Sequence, residues 1–404
     1  MDTKITKLKN NIEFAYKRNQ DTPRVAFYLN FSLNNPSSQA GVYSLMVRLF
    51  MQGTKTRTAQ QLSEELDKYA IEFSAELKLD YIKFKFVCLN EDFERAMDIF
   101  EDIVKNTTFD EFEKERTKLE GEIIAELDSP RAKIIDSYYK NIYADHNYGF
   151  TNTVILENLK NLKKEDVINA FHEIVANSKK VSAFVGDLDF DKVENILTEK
   201  FGDLPKSIDE LPTLRKPELN KSKDIEIVKE DLNQAHILKG WLVGTADSKD
   251  YPAIALLNII LGASGLSSRL FLELRDKKGL AYVVRSAYDV ARLSANFSIY
   301  IATEPKNIET SLKGFEEEIE KIKTNLVPEE EIENAKNNIF GKWAFISETN
   351  SQQANWLAHY GIMGFGFDFH KNAVEKIKAV TPQDIKDCAN KYFNDKFVLT
   401  VLKP

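Results

Sequence analysis

Residues 270–282, LFLELRDKKGLAY, contain the spacing Leu-x-x-Glu-Leu that also occurs at residues 62–66. A second pair of segments, 112–121 and 332–341, agrees in the same order along the chain. The repeated unit therefore takes up about half of the sequence, whereas the repeats of solenoid proteins are only about 20–50 residues long. This pattern indicates the duplication of a whole domain.

Strand-like and helix-like patterns alternate in both halves of the chain. Large apolar residues alternate with smaller or more polar ones at 25–33 and 82–88, which is the period of two of a strand. Lysines on one side of the second segment indicate a sheet with one polar face, and such a face suits antiparallel pairing. A similar segment at 297–301 lies between helical patterns of the second half. The sequence therefore predicts an α+β fold with two homologous domains, each a mostly antiparallel sheet packed with helices, that face each other across a cleft.

The predicted boundary between the two domains is a polar stretch at residues 205–224. Its prolines are Pro205, Pro212 and Pro217. Proline fixes φ and cannot extend a helix or a central strand, so we expect this stretch to be a semi-rigid linker. The predicted N-terminal domain is 1–204 and the predicted C-terminal domain is 225–404.

The composition is typical of a globular protein, because 43% of the 404 residues are hydrophobic and 29% are charged. A net charge of −8 and the lack of a basic patch interleaved with aromatics argue against nucleic acid as a partner. The sequence has no long apolar run and no signal-like segment, so we expect no membrane association and a cytoplasmic location. Cys88 and Cys388 are too few for a disulfide framework or a thiolate zinc site, and we expect both to be buried thiols.

Several motifs resemble those of the insulinase/pitrilysin family of zinc peptidases, including its processing-peptidase branch. The most specific is ELRDKKGLAY at 273–282, because chance agreement over such a run is improbable. The other motifs are Ala40-Gly41, QGTKTRT at 52–58, Glu115-Arg116, Glu122, Pro130, HNYG at 146–149, VGD at 185–187, FGDLP at 201–205 and LGASGLSSRLF at 261–271. Together they cover nearly the whole chain.

The resemblance implies that the zinc-binding helix of the family is present without its ligands. Members of the family carry His-x-x-Glu-His on this helix. Ser44, Val47 and Arg48 stand at the three motif positions, whereas Glu122 matches the family's third zinc ligand and Glu115 a second family glutamate. A catalytic zinc needs three protein ligands and an open position, so we expect no metal in this chain. We expect Arg48 to pair with Glu122 in place of the metal; the alternative is that both glutamates lie on a solvated helix face.

Arg275 and Tyr282 are the candidate catalytic residues. Taken alone, they fit a cation at the C-terminus of a helix followed by an aromatic residue in a strand. The resemblance assigns them to the arginine and tyrosine that, in the family, reach over the zinc site of the opposite domain and hold the substrate backbone. Peptide hydrolysis builds negative charge on the carbonyl oxygen, and a guanidinium or phenol directed at that oxygen stabilises it.

Three functions remain as hypotheses. The first is a non-catalytic, substrate-clamping subunit of a heterodimeric zinc metallopeptidase. It would be inactive alone, its partner would carry His-x-x-Glu-His and the zinc, and its substrate would be an extended peptide. The second is an inactive homologue, alone or as a self-dimer, that serves as a peptide-binding or structural scaffold. The third, an autonomous metallopeptidase, needs another zinc site. The histidines of this chain show no metal-ligand spacing and therefore do not provide one; they are His146, His172, His236, His359 and His370.

Overall fold

The computed structural model describes residues 3–35, 38–345 and 347–404. Its strands are β1 (Lys4–Lys7), β2 (Glu13–Arg18), β3 (Arg24–Ser32), β4 (Glu72–Leu77), β5 (Tyr81–Leu89), β6 (Lys180–Gly186), β7 (Lys223–Val228), β8 (Ala235–Val243), β9 (Ala281–Val290), β10 (Ala295–Thr303) and β11 (Val398–Lys403). Its α-helices are α1 (Val42–Leu49), α2 (Ala59–Lys68), α3 (Phe93–Asn106), α4 (Phe112–Asp128), α5 (Pro130–Ile142), α6 (Asn152–Leu159), α7 (Lys164–Asn177), α8 (Phe190–Phe201), α9 (Tyr251–Asn258), α10 (Ile308–Thr324), α11 (Glu329–Phe345), α12 (Asn350–Met363), α13 (Phe369–Lys378) and α14 (Pro382–Tyr392).

The chain forms two compact units, each assembled from three segments. Unit 1 consists of Met1–Gly121, Leu156–Leu214 and Ala344–Phe369. Unit 2 consists of Glu122–Ile155, Arg215–Trp343 and His370–Pro404. The domain ranges expected from the sequence, 1–204 and 225–404, are continuous, whereas the units are not. The physical reason is packing: α12 lies on the sheet of unit 1, and α5 lies on the sheet of unit 2.

Unit 1 contains a six-stranded sheet in the order β1-β2-β6-β3-β5-β4. All neighbouring strands are antiparallel except β2 and β6, which are parallel. The alternation expected in β3 directs its residues to two different layers. Phe27 packs against Phe86 and against Phe100 of α3, whereas its neighbour Ala26 belongs to the cluster that contains Ala354 of α12. The sheet is therefore covered by helices on both faces.

Unit 2 contains a five-stranded sheet in the order β7-β11-β8-β10-β9. It has the same arrangement as strands β2-β6-β3-β5-β4 of unit 1, since its first pair is parallel and the other pairs are antiparallel. Phe297, Ile299 and Ile301 of β10 are all fully buried in one core cluster, as their alternation predicts. The α+β class and the mostly antiparallel sheets are thereby confirmed, and the matching strand orders support the duplication.

Two segments of unit 2 depart from the regular helix that the sequence pattern predicts. The helix that begins at Tyr251 continues as a π-helical turn at Ile259–Ala263, and a second π-helical segment covers Phe271–Lys277. Close approach of β9 explains the glycine in the first turn, because a Cβ atom at Gly262 would lie 2.2 Å from the backbone nitrogen of Ser286. Short π-helical insertions are rare and are frequently found at functional sites.

The two cysteines are buried, as the sequence predicts. Burial raises the pKa of the Cys88 and Cys388 thiols to about 12, so both are inert at neutral pH. Across the part of the chain that the structure describes, no helix has both the length and the apolar character needed to cross a bilayer.

Candidate functional site

The helix that carries Ser44, Val47 and Arg48 is α1 of unit 1. Leu45 and Leu49 anchor it in the core, and the three candidate positions lie on its half-buried side. Ser44 and Arg48 are four residues apart and therefore share one face of the helix. Two metal ligands four residues apart on a helix would need this arrangement. Here the two positions carry a hydroxyl and a guanidinium instead.

Arg48 forms an ion pair with Glu115 of α4. The Nε atom of Arg48 donates to Oε2 of Glu115 at 3.2 Å, and Nζ of Lys118 donates to the other carboxylate oxygen at 2.7 Å. The Glu115 side chain is only 4% exposed, so its charge is satisfied by these two cations rather than by bulk water. The sequence predicted Glu122 as the partner of Arg48 and missed Glu115, which lies 67 residues from Arg48; only the Glu115–Lys118 contact, with its spacing of three residues on one helix, has a readable local signal.

Glu122 lies two turns after Glu115 on α4 and is exposed. Its pairing with Arg48 stays a prediction. Within residues 3–35, 38–345 and 347–404, no group of three or more His, Cys, Asp or Glu side chains lies close enough to hold a metal ion. The donor set around α1 also does not suit zinc, because Arg48 places a positive charge beside Glu115.

Three of the histidines hold local structure. His146 accepts a hydrogen bond from the backbone N–H of Tyr148 at 3.1 Å. The ring of His236 shares a hydrogen bond of 2.8 Å with the Tyr300 hydroxyl. Burial lowers the pKa of His359 to about 4, so its imidazole is neutral at physiological pH.

Arg275 and Tyr282 lie side by side in unit 2. Arg275 belongs to the π-helical segment, and its guanidinium carbon is 4.7 Å from the centre of the Tyr282 ring and 4.5 Å from that of Phe271. Gly279, with φ of 60°, turns the chain between the segment and β9. The turn is tied down by a hydrogen bond from the Leu280 N–H to the carbonyl of Leu274 at 2.8 Å.

The guanidinium of Arg275 keeps its donors available. Among the described residues it forms no hydrogen bond and no ion pair, and its contacts are with the two aromatic rings. Tyr282 is 77% exposed, so its phenol can also reach a ligand. A planar guanidinium next to a phenol can donate several hydrogen bonds to a carbonyl or carboxylate. Phe271 was missed by sequence reasoning, although it stands four residues before Arg275 in a helical pattern.

Comparisons with known proteins give the same family for both halves of the chain. Residues 13–152 match the family model described as insulinase (peptidase family M16), and residues 161–339 match the model described as the peptidase M16 inactive domain. An uncharacterised zinc protease of Mycobacterium leprae is 25% identical over 382 residues, which are 92% of this chain and 84% of that protein.

Solved structures share the fold over the full length. A protease from Helicobacter pylori matches with a TM-score of 0.91 and 21% identity, covering 100% of both chains. A peptidase M16 inactive domain from Pseudomonas fluorescens matches with a TM-score of 0.90 and 20% identity, covering 100% of this chain and 98% of the other. The two family models together account for most of the sequence, and the chain therefore belongs to the insulinase family of peptidases, M16.

Proposed function

We propose that this chain is the non-catalytic, substrate-clamping subunit of a two-chain zinc metallopeptidase. In this proposal a homologous partner carries His-x-x-Glu-His and the zinc, and this chain presents Arg275 and Tyr282 to an extended peptide. The observation that carries the proposal is the Arg275 guanidinium, which two rings hold in place while its donors have no partner among the residues that the structure describes.

The degenerate helix supports the first half of the proposal. The sequence contains no His-x-x-Glu-His, and α1 has Ser44 and Arg48 where the family has imidazoles. The ion pair between Arg48 and Glu115 stabilises this region with a protein cation, and a metal cation beside it would be repelled. A zinc that activates water would therefore have to be supplied by another chain.

The exposed pair supports the second half. Neither Arg275 nor Tyr282 is buried, so the two side chains do not serve to pack the core. Burying a charged guanidinium without hydrogen-bond partners would cost free energy, whereas at the surface its donors can reach a ligand. Arg275 could bind the carbonyl oxygen of a peptide bond and Tyr282 could donate to the same oxygen as it becomes negative. Both roles need a peptide laid across the segment that joins Phe271–Lys277 to β9.

The test is reconstitution with a His-x-x-Glu-His homologue from the same organism. Cleavage of a fluorogenic peptide is measured for each chain alone and for the mixture. We expect the mixture to exceed the sum of the separate chains. Tyr282→Phe in this chain should lower kcat about 100-fold, because one oxyanion donor is typically worth that much. Arg95→Gln is the matched control, since Arg95 is another exposed arginine that lies over a tyrosine ring, at 3.8 Å from the centre of Tyr69.

The same experiment separates the three hypotheses. Equal cleavage by the homologue alone, with no effect of Tyr282→Phe, would refute the clamping role. Peptide binding by this chain without any stimulation of cleavage would favour the scaffold. Cleavage by this chain alone that a chelator abolishes would favour an autonomous peptidase.

A further inference from the structure

A cavity of about 300 Å³ lies in unit 2, between α5 and the face of the sheet that α5 partly covers. The polar and aromatic residues that line it are Tyr138, Tyr139, Arg285, Asp289, Ser298 and Tyr300. None of them belongs to the Arg275–Tyr282 pair. On β9, Val284 and Ser286 are buried, whereas Arg285 between them is exposed and lines the cavity.

Arg285 lines this cavity, and Arg131 lies close enough for its charge to act on Arg285 and on Tyr300. The guanidinium carbon of Arg285 is 5.9 Å from the centre of the Tyr300 ring, and Arg131 stands on α5 one turn before Ile135 of the cavity wall. Burial and the charge of Arg131 lower the pKa of Arg285. Neither guanidinium forms a hydrogen bond or an ion pair within the described part of the chain. Two like charges held together in this way favour the binding of an anion.

Neutral hydroxyl groups also line the wall of the cavity near Arg285. The Tyr300 hydroxyl lies 2.8 Å from Nδ1 of the buried His236, which fixes its position. Ser298 is buried next to it on the same face of β10, and within the described residues its hydroxyl has no hydrogen-bond partner. A ligand oxygen placed here would therefore find the Arg285 guanidinium and at least one neutral donor, with the positive charge of Arg131 nearby.

The cavity also contains one carboxylate, which limits the charge of a suitable ligand. Asp289 accepts a hydrogen bond from the Tyr139 hydroxyl at 2.7 Å. It stands four residues after Arg285 on the same strand, about 13 Å along it, and its negative charge still acts on Arg285. Two guanidinium groups and one carboxylate leave a single positive charge, which matches a carboxylate better than a phosphate dianion.

We propose that this cavity binds a carboxylate of a peptide, either the C-terminal one or that of an aspartate or glutamate side chain. A volume of about 300 Å³ is at the lower limit of ligand pockets and suits one residue rather than a whole peptide. Tyr138 and Tyr139 supply walls for the aliphatic part of that residue. The proposal goes beyond the clamping role, because it concerns binding at a second site and requires neither a partner chain nor hydrolysis.

The experiment measures the binding of hexapeptides that carry an uncharged BODIPY label to the full chain alone, by fluorescence polarisation. One peptide ends in a free glutamate, a second has an amidated C-terminus, a third has that glutamate replaced by glutamine, and a fourth has no carboxylate at all. We expect the first peptide to bind and the fourth to bind at least about tenfold more weakly, since charge-assisted hydrogen bonds are lost. Weakening by amidation would assign the site to the C-terminus, and weakening by glutamine would assign it to the side chain.

The variants Arg285→Gln and Arg131→Gln should each weaken the binding of the first peptide, and the double variant should abolish its preference over the fourth. Arg285→Lys should retain part of the affinity, because lysine keeps the charge but not the planar pair of donors. Arg95→Gln in unit 1 removes the same charge elsewhere and should change nothing. Equal affinity for all four peptides, or unchanged binding by the folded double variant, would overturn the proposal. Displacement of the first peptide by equimolar inorganic phosphate would also overturn it.

Discussion

Arg48 of α1 and Glu115 of α4 form a hydrogen-bonded ion pair, with Nε of the arginine 3.2 Å from Oε2 of the carboxylate. The two residues are far apart in the sequence, and the pair joins the helix that would carry a zinc motif to the helix that would carry a glutamate ligand. A protein cation thus lies where the family resemblance implies a metal-binding face. The pair gives the Glu115 carboxylate a structural role. From the sequence, Glu115 was either a glutamate that matches the family or part of a solvated helix face.

We predict that Arg48→Met lowers the free energy of unfolding by about 1–3 kcal/mol, because it leaves the Glu115 carboxylate buried with one cation fewer. Urea denaturation measures this change. Arg24→Met is the matched control, since Arg24 and Glu72 form an ion pair whose side chains are both exposed. The control should cost less than about 1 kcal/mol. Equal losses for the two variants would contradict a buried, energetically significant pair.

A second prediction concerns the zinc motif. Replacing three residues together, Ser44→His, Val47→Glu and Arg48→His, restores the family pattern on α1. We expect the unchanged chain to retain no stoichiometric zinc after dialysis, and the triple variant to retain about one zinc per chain, as three protein ligands would then be present. Metal analysis by mass spectrometry gives the readout. Adding Glu122→Ala to the triple variant should remove the zinc again; if it does not, Glu122 is not the third ligand.

Much of the fold was predictable, because local patterns agree with the layers that form. Strands β3, β5 and β10 alternate large apolar residues with others, and each places the apolar set in a core. The N-terminus of α2 was equally readable, as Thr58 and Gln61 form a capping box. The strand β11, in contrast, was missed, because the six residues Val398–Lys403 lie at the end of the chain without a partner nearby in sequence.

The assignment of helices to units could not be predicted from local sequence. The helix α12 lies within the C-terminal half of the chain but packs on β3 and β6 of unit 1. Its contacts include Ala354 and Ala358 against the sheet, and an apolar helix pattern does not specify which sheet it will cover. The Arg48–Glu115 pair was missed because the two residues are 67 positions apart on different helices, and no local pattern links them. Arg275 and Tyr282 were singled out only through the family resemblance, and their contact is a finding of the structure.

A third prediction tests whether Phe271 positions Arg275. The ring of Phe271 lies 4.5 Å from the guanidinium carbon, on the π-helical segment that Arg275 itself belongs to. In the reconstituted peptidase, Phe271→Leu should raise KM roughly two- to fivefold with a smaller change in kcat, since an exposed cation–π contact is worth about 0.5–1 kcal/mol. Phe271→Trp should restore the original KM. If Phe271→Trp raises KM as much as Phe271→Leu does, Phe271 has a general packing role instead.

The last prediction concerns Lys180, which is fully buried at the start of β6. Within the described part of the chain, its ammonium group donates only to the carbonyl of Ser178, at 3.3 Å, and burial lowers its pKa to about 8. The unfolded chain, with a lysine pKa near 10.4, binds this proton more tightly than the folded chain. The charge therefore opposes folding fully below about pH 8, and this penalty disappears as the pH rises from about 8 to about 10.5.

Lys180→Met keeps a similar side-chain volume and removes the charge. It should raise the free energy of unfolding at pH 7 by an amount on the order of 3 kcal/mol, and this gain over the unchanged chain should shrink between about pH 8 and 10.5. Urea denaturation of the variant and of the unchanged chain at several pH values measures the difference in the free energy of unfolding. Contributions of other titrating groups are common to both proteins and cancel in this difference. Lys9→Met, at an exposed position of unit 1, should change the free energy by less than about 0.5 kcal/mol at every pH. A gain for Lys180→Met that does not vary with pH would mean that the ammonium charge is not what destabilises this strand.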